Sequence, residues 1–157
     1  GCDLRAVKFD NTKLEGSTFD ELTKLKDTTF SRETSLDHAK LSNAIFDGVV
    51  LADPTSGSKF SANWAILDGA SFRNAQMPES YLSGASAKGA DFGGAALAGT
   101  DFANAELEQA NFRGANLAEA KFVNAGLNKA VFTGANVAGA EFGSMRGSPV
   151  DLLLIPP

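Results

Sequence analysis

"ANFRGANLAEAKF", residues 110–122, carries its large apolar residues at Phe112, Leu117 and Phe122, five apart, each preceded at minus two by an alanine (Ala110, Ala115, Ala120). Neither common element keeps such a stripe on one buried face. A strand that advances five residues flips over, and an α-helix has turned by roughly 140° net. The spacing suits a chain that extends for three residues and then turns a corner. In the extended piece the alanine and the large residue point inward, and the residue between them points out.

From Leu67 the beat runs without a slip through Phe72, Met77, Leu82, Ala87, Phe92, Leu97, Phe102, Leu107, Phe112, Leu117, Phe122, Leu127, Phe132 and Val137 to Phe142. The position two before each centre is alanine except at Ser80 and Thr100. A repeat of this quality decides the fold before any propensity does. The corner falls on the two residues after each centre, and a type II turn needs positive φ at its third residue. Gly or Asn stands there at 69, 74, 84, 89, 94, 99, 104, 114, 124, 134 and 139.

Four sides close a square coil of about twenty residues, with coils stacked about 4.8 Å apart through parallel main-chain hydrogen bonds. Residues twenty apart then form columns. Phe72, Phe92, Phe112 and Phe132 make one, and Phe102, Phe122 and Phe142 the opposite one; Leu97 and Leu117 with Met77, and Leu107 with Leu127, fill those between. The first 66 residues keep the beat less strictly, with centres at Leu4, Phe9, Leu14, Phe19, Leu25, Phe30, Leu36, Leu41, Phe46, Leu51 and Phe60. Single extra residues mark the slips, as a bulge supplies. The exception is residues 52–66, where "ADPTSGSK" is a turn-rich insertion and "SANWAIL" allows two registers. The expectation is an all-β parallel β-helix of about seven coils over residues 1–142, roughly 32 Å long, with 143–157 as a C-terminal cap or tail.

The pattern A-[DN]-[LF]-x-x, as in "ANFRG", "ANLAE" and "TDFAN", resembles the pentapeptide-repeat family, over residues 2–142. The resemblance implies a right-handed quadrilateral β-helix, a handedness that spacing does not give. The family is functionally diverse. One branch resembles duplex DNA in size, shape and charge and binds DNA gyrase, conferring quinolone resistance or self-immunity; others are secreted effectors, cyanobacterial regulators and accessory domains.

Composition narrows the chemistry. The chain has 157 residues, a net charge of −5, a single cysteine and no apolar run long enough to span a membrane. An acidic chain with scattered bases is not expected to bind nucleic acid directly. A DNA mimic of this length would present about nineteen negative charges. The nineteen acidic residues here are interspersed with fourteen basic ones, and the outward columns Ser71, Asp91, Asn111, Val131 and Gln76, Ala96, Asn116, Asn136 are bland. The chain begins directly in pattern, without an initiator Met or signal peptide, and is expected to belong to a longer protein. Its compartment stays open, with the cytoplasm as default.

No catalytic, cofactor-binding or metal-binding set emerges. Cys2 falls at an inward small position, His38 at a corner without a Cys, Ser or second His to pair with, and Asp101, Lys121 and Glu141 in one outward column that reads as a charge ladder. A coil filled by its own side chains has no room for the pocket an enzyme usually needs. The expectation is therefore a non-enzymatic protein-interaction or scaffold module, with a DNA-mimicking gyrase binder as the alternative. Asp53, Lys59, Trp64 and Tyr81, on or beside the irregular stretch, are the candidate contact residues. Trp64 either fills the register break or stands outside it. The chain ends are raw strand edges. "PVDLLLI" would lie across the last coil as a lid, form a linker or make an interface strand, and a homodimer through a chain end is the oligomer such edges suggest.

Overall fold

A computed structural model of the chain describes residues 4, 8–10, 12–19, 23, 28–31, 34–52, 57 and 59–151. The chain is a right-handed quadrilateral parallel β-helix, four-sided as the five-residue beat requires. Four columns of parallel bridges define its sides. The first runs Lys13, Ser35, Ser61, Tyr81, Asp101, Lys121, Glu141; the second Thr18, Lys40, Ile66, Ser86, Glu106, Gly126, Arg146. The third runs Ile45, Ser71, Asp91, Asn111, Val131, and the fourth Val50, Gln76, Ala96, Asn116, Asn136. Most sides contribute a single bridging residue before the chain turns. Among the described residues only β1 (Lys8–Asp10) and β2 (Thr29–Ser31) are longer strands, paired in parallel with Phe9 opposite Phe30.

From Ser61 onward each bridge spans 20 residues; Lys13–Ser35 spans 22 and Ser35–Ser61 spans 26. The six extra residues sit at one corner, between the fourth and first sides. On leaving that corner the chain takes the register in which Ala62, not Phe60, is the centre: the Ala62 N–H donates to the Tyr81 carbonyl at 2.8 Å. Phe60 occupies the slot two before it, is fully buried, and meets the Phe30 ring edge-on at 6.4 Å. With alanine at the centre, the neighbouring small-residue slot takes the aromatic. Large and small have exchanged places.

The interior is solid. Phe46, Phe72, Phe92, Phe112 and Phe132 stack with ring centroids 4.9–5.2 Å apart. Phe102, Phe122 and Phe142 stack on the opposite side at 5.0–5.1 Å. Across the interior the two columns meet edge to face at 5.7–5.8 Å. Leu97, Leu107, Leu117 and Leu127 are buried beside them. Each stacked or edge-on pair adds about 0.5–1.5 kcal/mol beyond its buried area.

The main-chain ladder follows a five-residue rule. The centre N–H donates to the following coil, as from Phe72 to Asp91 at 2.7 Å, and so does the N–H two residues later, as from Asn74 to Gly93 at 2.9 Å. The next N–H closes the turn onto the centre's own carbonyl, as from Ala75 to Phe72 at 3.0 Å. The outward residue's N–H donates to the preceding coil, as from Asp91 to Ala70 at 2.9 Å. One N–H in five, that of the residue just after the centre, is left to side chains.

Side chains supply it in two ways. In residues 91–138 the outward Asp or Asn reaches forward within its own coil: Asp91 accepts from Gly93 N–H at 2.9 Å, Asp101 from Ala103 at 2.8 Å and Asn111 from Arg113 at 3.1 Å. At three units in residues 37–88 the outward residue is a serine (Ser61, Ser71 and Ser86) and the acceptor belongs to the preceding coil. Asp37 Oδ1 accepts from Ser61 Oγ at 2.6 Å and Asn63 N–H at 2.7 Å. Asp47 does the same for Ser71 and Arg73 at 2.5 and 3.0 Å, and Asp68 for Ser86 and Lys88 at 2.7 and 3.0 Å.

At the far end the register shifts by one. Val150 N–H donates to the Ala130 carbonyl at 2.9 Å, and the Asp151 carboxylate then stands where a main-chain carbonyl would, accepting from Phe132 N–H at 2.7 Å and from Thr133 Oγ1. Burial pushes the Asp151 carboxyl upward; the hydrogen bonds from Thr133 and Phe132, with the Arg113 charge, outweigh it and hold the group below the usual carboxylate value. The "LLLI" segment lies outside the described residues, as do Cys2, Leu25 and the insertion's tip.

Candidate interaction surface

The corner positions show which surface features are costly to keep. Among the described residues eleven non-glycine residues have positive φ, including His38, Asn43, Asn74, Asn104 and Asn124. The bulkiest is Trp64 at φ 58°, a conformation that costs an L-residue about 1–2 kcal/mol. It is 60% exposed, so it does not fill the register break. Its indole lies across Gly84 of the following coil, where a Cβ would collide with the ring. Asn43 over Gly69 and Asn74 over Gly94 repeat the arrangement. These glycines serve twice, giving the positive φ and clearing space for the side chain from the coil before.

Tyr81 is the outward residue of the first side one coil after Ser61 and is 40% exposed. Lys59 Nζ donates to its hydroxyl at 3.3 Å and stands 5.5 Å from its ring centroid. Glu79 lies 3.4 Å from the same ammonium. The Tyr81 hydrogen bond and charge, and then Glu79, hold the Lys59 pKa above its ordinary value. A shallow open depression lined by Thr34, Gly57, Lys59, Ser61 and Tyr81 adjoins this cluster. Lys59, Trp64 and Tyr81 thus share the first side and its edges. Asp53 lies outside the described residues.

Sequence reasoning passed over three further features. Ile45, Val50 and Ile66 are exposed outward residues on the third, fourth and second sides, in the coils flanking the insertion. The signal was a β-branched residue in an outward slot. The Asp37, Asp47 and Asp68 clamps also had one: an Asp just after a centre, with Ser outward in the next coil. His38 is exposed at its corner, and Asp101, Lys121 and Glu141 line one side. Among the described residues no group of His, Cys, Asp and Glu is placed to hold a metal ion, and no helix is long and apolar enough to cross a membrane.

The model of the family "Pentapeptide repeats" matches in eight copies over residues 65–102, 90–125 and 110–143, a continuous span of just over half the chain. The chain belongs to the pentapeptide-repeat family. No curated protein matches it in sequence. Among solved structures it is similar to full-length QnrB1, described as a plasmid-mediated fluoroquinolone resistance protein, with a TM-score of 0.57 at 20% identity over 90% of this chain and 72% of that one. A trypsin-treated form of QnrB1 gives 0.51 at 19% identity, over 94% and 93%. A pentapeptide repeat protein from the Arabidopsis thaliana thylakoid lumen gives 0.37 at 24%, over 74% and 67%, too distant to bear on the argument. At these identities the likeness establishes the fold.

Proposed function

We propose that this pentapeptide-repeat chain is a non-enzymatic interaction scaffold, a stiff rod that recognises its partner through the first side around Lys59, Trp64 and Tyr81. The observation that carries this reading is the division of aromatic residues. The stacked phenylalanines fill the interior, while the chain's one tryptophan and one tyrosine stand outside on neighbouring coils. Trp and Tyr are the side chains most enriched where binding energy concentrates. The filled interior supports a role carried out on the surface. The test is affinity capture on immobilised protein, comparing wild type with Trp64→Asn. A partner retained by wild type and lost by the variant supports the reading; indifference to the substitution sinks it.

A second reading is a topoisomerase binder of the quinolone-resistance type, favoured by the likeness to QnrB1. The surface charge speaks against a DNA mimic: Arg73 lies 3.6 Å from Asp91 and Lys88 2.5 Å from Glu106, so bases interrupt the acidic side chains. A gyrase supercoiling assay with excess protein separates the two. Inhibition or protection from a quinolone promotes this second reading, and no effect removes it.

A further inference from the structure

We propose that Trp64 and Tyr81 form a platform for a saccharide, specifically an extended chain of pyranose rings. This rests on the scaffold reading and names the ligand class at the same surface, in place of the protein partner that the sequence alone suggests. Both rings are fixed before any ligand arrives. The indole is seated on Gly84 with more than half its surface open, and the Tyr81 hydroxyl is held by Lys59, itself paired with Glu79. Tyr81 stands on the first side and Gly84 at the corner that ends it, in one coil, so the two rings flank the same edge of the rod. A disaccharide or longer would lie across that edge.

The floor between the rings decides the ligand class. It is built from Ser61, Asn63 and Ser83, ordered by hydrogen bonds: Asn63 Nδ2 donates to Ser61 Oγ at 3.1 Å, and Asn63 Oδ1 accepts from Ser83 N–H at 2.9 Å. Asp37 underlies it in the preceding coil, and Asp101 borders Tyr81 in the next. The cores of protein–protein interfaces are depleted in Ser, Asp, Glu and Lys, which are the residues gathered here. A pyranose ring matches them better. Its C–H face, weakly positive, stacks on the negative face of an aromatic ring. Its equatorial hydroxyls then find carboxylate and hydroxyl acceptors, with amide and ammonium donors beside them. The shallow relief suits a chain lying across the surface.

The readout is built in, because Trp64 is the only tryptophan. Its emission is followed while cellohexaose, chitohexaose, xylohexaose and mannohexaose are titrated in, with native gels containing the parent polysaccharides alongside. A saturable emission shift and gel retardation with at least one series are expected. Trp64→Asn keeps the corner, since Asn104 and Asn124 hold the same positive φ in this column; with an unchanged melting curve it should weaken retardation about tenfold or more. Tyr81→Ala should weaken it similarly, and Tyr81→Phe much less. Silence with every saccharide, or equal binding by Trp64→Asn, overturns the proposal. The capture experiment then separates the two ideas: a protein held by wild type and released by Trp64→Asn leaves the scaffold standing without the saccharide, and capture of nothing sinks both.

Discussion

Residues 37–88 and residues 91–138 build the same square coil and secure its corners differently. In the later region the outward Asp91, Asp101, Asn111, Asn116 and Asn136 each hold the spare N–H of their own coil. In the earlier region an Asp reaches into the next coil and holds both its serine hydroxyl and its spare N–H. A unit that closes on itself can be copied indefinitely. A unit that depends on a particular neighbour cannot. The family model matches residues 65–143, which take in the whole later region and the last part of the earlier one.

The interior does not share the difference, so core substitutions set the upper bound. Phe112 stacks on Phe92 and Phe132, and Phe72 stacks between Phe46 and Phe92. Phe112→Ala and Phe72→Ala should each cost about 3–5 kcal/mol in urea unfolding. If one were several-fold cheaper than the other, the contrast would reach the core and would not be a matter of corners.

Corner substitutions come next. Asp37→Ala strips a hydroxyl and an N–H of their acceptor together and should cost about 2 kcal/mol, against about 1 for Asp101→Ala, whose carboxylate holds the Ala103 N–H. Location tells more than size. Amide exchange should quicken at Asn63, in the following coil, for the first variant, and at Ala103, in the same coil, for the second. Exchange confined to residue 37's own coil would refute the inter-coil clamp.

The two devices should also be interchangeable. Asp47→Ala removes the acceptor for Arg73 N–H, and Ser71→Asn added to it installs the local acceptor used in the later region. The double variant should recover about 0.5–1 kcal/mol over Asp47→Ala, with slowed exchange at Arg73. No recovery would mean that the earlier coils carry a backbone shape the local clamp does not fit.

Legibility in the sequence followed the same division. The beat of five needs only one residue's neighbours to be read, and it gave sides, corners and columns from Leu67 to Phe142. The registers from 13 to 61 depend on where extra residues are absorbed. There Phe60 outweighed Ala62 as the natural centre, because size was the cue and the ladder bond to Tyr81 was invisible. The candidate surface was half legible. Trp64 and Tyr81 stood out as rare aromatics, but Gly84 as the seat of an indole twenty residues away needs the coil to be closed first.

Asp151 extends the comparison to the end of the rod, where a coil has no successor among the described residues and a carboxylate takes its place. Its pKa is lowered in the folded chain, so its contribution is present in full well above the ordinary aspartate value of about 3.9 and is lost as pH falls below that value through the lowered folded one. The loss should stay local, because among the described residues the Asp151 carboxylate accepts from Phe132 and Thr133. Between pH 6 and roughly pH 3, amide exchange corrected for its intrinsic pH dependence should quicken at Phe132 and Thr133 while Phe92 and Phe102 remain protected. Asp151→Asn should show the quickened exchange already at pH 6 and little further change on acidification. Uniform loss across all coils would refute this local role for Asp151.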